Sequence, residues 1–102
     1  MEKLIERYSG QGELIFGENQ VARVNYQIDE FETFVSDGLG GEVPMLRYRW
    51  GRVTPAVRHS HWHPIVALYS DRPLTLVMSD GRKLKVFLKT EDGVVQGSGD
   101  FF

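Results

Sequence analysis

The sequence predicts an all-β fold, a small antiparallel β-barrel of six or seven hairpin-connected strands. Three features predict it. Eleven glycines punctuate the chain, mostly between short stretches rich in Val, Leu, Ile, Phe and Tyr. Several of those stretches alternate apolar with polar residues, the period of a strand with one buried face. Asp-Gly pairs separate the alternating runs near the C-terminus, where tight loops join antiparallel strands.

Met1 to Arg7 is the one segment with helical potential, and a short N-terminal helix there would let Leu4 and Ile5 cover an open end of the sheet. Such a helix is marginal without tertiary support. Glu13 to Phe16 reads as a first strand, followed by the turn residues Gly17-Glu18-Asn19-Gln20. In the return strand Val24, Tyr26 and Ile28 alternate with Arg23, Asn25, Gln27 and Asp29. Phe31 to Val35 drifts out of that register. A bulge near Glu30, adding one residue, would return its apolar set to the inward face.

Ser36 to Gly41 is too rich in glycine for a strand and is expected to be a loop. Leu46, Tyr48 and Trp50 then alternate with Arg47 and Arg49, which predicts a strand with an aromatic core face and a cationic outer face. The apolar run Ile65 to Tyr69 suits a short buried strand, since Pro64 and Pro73 bracket it and argue against a helix. Leu74, Leu76 and Met78 form one alternating face and Leu84, Val86 and Leu88 the answering one. Asp80-Gly81 between them carries the type I′ turn signal. After Glu91-Asp92-Gly93, Val94 to Gln96 forms a short final strand. If the terminal strands pair to close the barrel, Gly10, Gly12, Gly97 and Gly99 allow the backbone to bend at the seam; the alternative is that both Gly-x-Gly elements are simply loops.

At 102 residues the chain fits one domain, residues 1–102, because two cores could not be assembled from it. Hydrophobic residues make up 41% and charged residues 25%, which excludes the low-apolar signature of disorder. The formal net charge of −2 provides no global positive field, an argument against a nucleic-acid partner. The absence of cysteine excludes disulfides, thiolate metal sites and a cysteine nucleophile. The N-terminus has no apolar secretion-signal core and no apolar run reaches bilayer length, so the expectation is a cytoplasmic chain without a membrane partner.

The sharpest chemical feature is His59-Ser60-His61-Trp62-His63. On an extended strand the three imidazoles share a face, and two of them are spaced to ligate a divalent transition metal. The simpler reading is an irregular exposed segment between two prolines, with Trp62 anchoring it to the core or, together with Arg58, to a partner. Proton-linked switching of the histidines is a third. His59-Ser60-His61, or His61-Trp62-His63, resembles the first metal motif of cupins over those residues alone. Ile65 to Leu68 stand where an acidic ligand should follow, and the chain has no other histidine.

Arg47, Arg49 and Arg52 form the second candidate site: Arg47 and Arg49 project from one strand face, where their guanidinium forks can grip a phosphate or carboxylate, and Arg52 and Arg58 follow nearby. Together with Ser36-Asp37-Gly38-Leu39-Gly40 they resemble the ingredients of PilZ domains, in a different order and spacing. No catalytic set is complete. Ser60 points away from its histidine neighbours on a strand, and no glycine-rich loop enters a helix. The leading expectation is therefore a non-enzymatic module for protein binding or self-assembly. The alternatives are a metal-binding protein or metal-dependent enzyme using His59, His61 and His63, and an anion or nucleotide binder using Arg47, Arg49 and Arg52.

Overall fold

The computed structural model describes residues 1–56 and 62–102. It is a closed six-stranded antiparallel barrel with one short helix. The strands are β1 (Glu2–Phe16), β2 (Asn19–Ser36), β3 (Glu42–Pro55), β4 (Leu74–Val77), β5 (Lys83–Leu88) and β6 (Val94–Ser98), with α1 (Trp62–Tyr69) between β3 and β4. Their order around the barrel is β1-β2-β3-β6-β5-β4.

The terminal strands do not pair, contrary to the expected seam. Closure comes instead from Glu13 to Ile15 against Thr75 to Val77, and from Trp50 to Arg52 against Val94 to Gln96. Glycine still matters at the first of these contacts. Gly12 lies within β1, and a Cβ there would stand 2.2 Å from the Val77 carbonyl oxygen, so only glycine lets the strands approach this closely.

The interior is built as the alternation predicts. Val24, Tyr26 and Ile28 of β2 face inward with Leu14, Val53 and Val95, while Leu74 and Leu76 oppose Val86 and Leu84 across the β4–β5 hairpin. That hairpin turns differently from expectation. Its loop runs from Ser79 to Gly81, closed by Met78 N–H to Arg82 O and by Gly81 N–H to Met78 O. Gly81 alone takes a positive φ, whereas a type I′ turn needs one at Asp80 as well.

Two local expectations are overturned. The Ile65 to Tyr69 run is helical, within Trp62–Tyr69. Pro64 sits in the first turn, where a missing N–H removes no intrahelical bond, and Pro73 lies beyond the last turn, so both prolines bound the helix rather than break it. Trp62 and Val66 enter the core from α1, and Tyr69 packs on Phe16 with ring centroids 5.2 Å apart. The helix thus closes the barrel end that holds Phe16. At the other end of the chain, Met1 to Arg7 forms no helix. From Glu2 onward it is the first half of β1, and Phe34 N–H to Met1 O (2.7 Å) continues its ladder with β2.

β1, β2 and β3 outrun the barrel. Their pairing continues from Tyr8↔Ile28 to Glu2↔Thr33 and from Trp50↔Asp29 to Glu42↔Ser36, making a three-stranded arm that extends the molecule to 55 Å along its longest axis. Contrary to expectation β2 has no bulge near Glu30; the extra residues lie on the flanking strands. Ile5 of β1 and Met45 of β3 have no partner in the register, while β2 has no extra residue between Ala22 and Ser36. Phe31 and Val35 therefore stay on the outer face. Their departure from the inward pattern marks where β2 leaves the barrel.

Candidate interaction surface

The two faces of the arm differ in chemistry. Opposed residues share a face of an antiparallel sheet, so the register assigns Leu4, Phe31, Val35, Val43, Leu46 and Tyr48 to the outer face. Phe31 and Tyr48 stack at 5.4 Å. Much of the remainder faces solvent, with Leu46 61% and Leu4 48% exposed, and the bulged Met45 beside them 66%. Towards the barrel the surface continues into an open depression of about 520 Å³, bordered by Phe31, Trp50 and Arg52 with Asn25, Gln27 and Asp29.

The inner face carries ion pairs. Arg47 holds Glu32 through both Nε (3.0 Å) and Nη2 (2.7 Å), and Lys3 reaches Glu42 at 3.3 Å while lying over the Phe34 ring. Neighbouring Glu32 holds the Arg47 guanidinium more firmly protonated than a free arginine. On the outer side of β1, Arg7 grips both Asp29 oxygens at 2.7 and 3.2 Å, with the same effect on its own protonation. The Tyr48 hydroxyl donates to Glu2, which raises its pKa above the ordinary phenol value.

Where arm meets barrel, Arg49 and Glu30 pair in the mouth. Arg49 Nη1 donates to Gly99 O (2.8 Å), and its guanidinium lies 4.5 Å from the Phe101 ring centroid. Phe101 meets Tyr8 edge-on at 5.0 Å, and Arg82 lies over both rings. The chain end is held there by reciprocal backbone bonds between Phe102 and Lys83 (2.9 and 3.0 Å). This assembly plugs the mouth with matched charge and aromatic surface.

The structure thereby inverts the expected faces of β3. Arg49 is buried and Trp50 is 37% exposed. Val53 faces inward opposite Tyr26, and alternation through Gly51 carries Arg49 inward too. At Gly51 a Cβ would meet the Gln27 carbonyl oxygen at 2.1 Å, so no larger residue fits that inward step.

Arg47, Arg49 and Arg52 are not brought together. Arg47 lies on the arm, Arg49 lies inside the mouth, and Arg52 projects from the opposite face, where it reaches Asp92 at 3.2 Å. Each already has a carboxylate partner. Of the histidine cluster, His63 is an exposed residue in the first turn of α1, whereas His59 and His61 lie outside the described residues, as does Arg58. Among the described residues no three His, Asp or Glu side chains converge as metal ligands. Trp62, expected to anchor its segment to the core or to a partner, is the first residue of α1 and is buried in the core.

The residues that form the arm's apolar face went unrecognised as a site in the sequence. A signal was present. Glu30-x-Glu32 answers Arg47-x-Arg49 with opposite charges at strand spacing, which identifies that face of both strands as mutually satisfied and leaves the apolar residues between them facing away.

No helix among the described residues is long and apolar enough to cross a membrane. Fold and surface together define a small closed β-barrel bearing a three-stranded, two-faced arm. No protein-family model matches the chain, and neither a curated protein nor a solved structure does.

Proposed function

We propose that this protein is a non-enzymatic assembly module that associates with copies of itself through the arm. The observation that carries this is the uncovered outer face around Leu4, Val35, Val43 and Leu46, set against an inner face where Lys3, Glu42, Arg47 and Glu32 pair within the chain. A three-stranded sheet with one apolar face gains most of its stability by covering that face. Apolar faces of two sheets pack about 10 Å apart when their side chains interdigitate. The plugged barrel mouth and the carboxylate-paired arginines offer a small ligand far less.

Light scattering over a concentration series tests the reading. The expected mass exceeds the 11.7 kDa of one chain, and Leu46→Glu should lower it without lowering thermal stability. A wild-type chain that stays monomeric up to about 1 mM, a concentration at which association contributes only about 4 kcal/mol, would refute it.

A further inference from the structure

The arm has an open edge as well as an open face, and the order of residues along that edge is self-complementary. Along β1 the sequence Glu2-Lys3-Leu4-Ile5-Glu6-Arg7 runs acid, base, apolar, apolar, acid, base. Laid antiparallel against itself about a point between Leu4 and Ile5, it sets Glu2 opposite Arg7, Lys3 opposite Glu6, and Leu4 opposite Ile5. Every charge meets its opposite.

In a regular strand this register fails. A two-fold axis normal to a sheet brings together residues on the same face, and residues five apart lie on opposite faces. The bulge corrects this. Glu2 pairs with Thr33 and Arg7 with Asp29, two β2 positions on one face, while Lys3 pairs with Glu32 and Glu6 with Glu30, two positions on the other. Ile5, the residue without a β2 partner, supplies the one-residue step that puts both prospective charge pairs on a common face.

The backbone is available for such pairing. Met1 and Phe34 exchange both of their hydrogen bonds, at 2.7 and 2.8 Å, so by alternation Glu2 and Leu4 direct their N–H and C=O groups away from β2. Among the described residues β1 has no partner on that side before Glu13. Glu6 has no ion-pair partner among the described residues, and Leu4 and Ile5 at the centre are 48% and 39% exposed.

We infer that two copies of this chain pair edge to edge through Glu2 to Arg7 of β1, joining two arms into one six-stranded antiparallel sheet. The inference rests on the reading of the arm as an assembly surface, but it uses the edge of the arm, where that reading uses the face. Its consequence is a single apolar face twice as wide, contributed equally by both copies. A bulge and charged residues commonly protect an edge from pairing; here their order admits one register and one partner.

Sedimentation equilibrium on the full chain at low salt, for wild type, Glu6→Lys, the double variant Lys3→Glu with Glu6→Lys, and Leu46→Glu, tests the inference. Glu6→Lys turns two Lys–Glu contacts across the axis into two Lys–Lys repulsions and should weaken association about tenfold or more, an effect that shrinks in 1 M salt. The double variant reverses both charges and should recover the wild-type affinity. Association unchanged by Glu6→Lys, or weakened without recovery in the double variant, overturns the edge register. If Leu46→Glu still lowers the mass in that case, assembly through the face stands by itself. A wild-type chain that is monomeric throughout overturns both.

Discussion

Arg49 and Glu30 form an ion pair inside the barrel mouth, with only 10% and 7% of their side-chain surfaces exposed. Removing one partner leaves the other charge buried, so Glu30→Ala or Arg49→Ala should cost about 3–5 kcal/mol in urea denaturation. Replacing both, as Glu30→Leu with Arg49→Met, should cost much less than either single change. A double variant as unstable as the singles would mean that the bond to Gly99 O and the contact with Phe101 hold the mouth, and the ion pair does not.

Tyr26 gives a second measurable anchor. Its hydroxyl accepts from Ser79 N–H and lies 3.0 Å from Ser79 Oγ, tying β2 to the β4–β5 loop. Tyr26→Phe should lower stability by about 1–2 kcal/mol, the cost of a part-buried hydrogen bond left unmade. Gly12→Ala beside the β1–β4 contact should cost more, about 2–3 kcal/mol, because its new methyl group meets backbone that cannot rotate away.

The helix can be tested through its buried indole. Trp62→Ala should destabilise the fold by about 3–5 kcal/mol, as for other large aromatic truncations in cores. Calorimetry would register this as a lowered unfolding temperature. A loss under 1 kcal/mol would place Trp62 at the margin of the core.

Acid sensitivity has a predictable sign. Asp37 accepts N–H bonds from Leu39 (2.7 Å) and Gly41 (3.0 Å), which hold its carboxyl below the ordinary value. Asp80 is lowered in the same way, first by the Arg82 side chain at 2.6 Å and then by the Arg82 N–H. Their folded pKa values lie below the unfolded ones, so their contribution is complete above the unfolded value of about 3.9 and is lost as pH falls through the folded values. Carboxyl-carbon titration by NMR should give midpoints below about 3.9 at both residues. Midpoints at or above it would show that neither loop is held by its aspartate.

Much of the barrel was legible because its interior follows the simplest rule in the sequence, alternation. Val24 to Ile28 and the Leu74 to Leu88 hairpin face inward as read. The arm was not legible for a physical reason. A strand that continues past the barrel changes what its two faces meet, so Phe31 and Val35 read as a broken register when they are an unbroken one with apolar residues outward. The bulges at Ile5 and Met45 lie on partner strands, invisible in the pattern of β2 itself. Arg49 was misread because a charged residue was assumed to face water. The fact that decides otherwise is Glu30 opposite it, a neighbour far away in sequence. Pro64 misled because a proline was weighed without asking which turn of a helix it would occupy.

The barrel is fastened by two short seams. The β1–β2 and β2–β3 ladders are long and join neighbours in sequence, whereas the closing contacts β1–β4 and β3–β6 involve three residue pairs each and join segments far apart in the chain. The meander can therefore form from local contacts, and the cylinder shuts late, since distant pairing must first overcome the entropy of closing a long loop. In the native protein the seams should unzip first, with amide exchange at Val94 to Gln96 outpacing that at the centre of β2. The arm lies outside both seams, on the three strands with the long ladders, so opening the cylinder leaves the arm's own pairing in place.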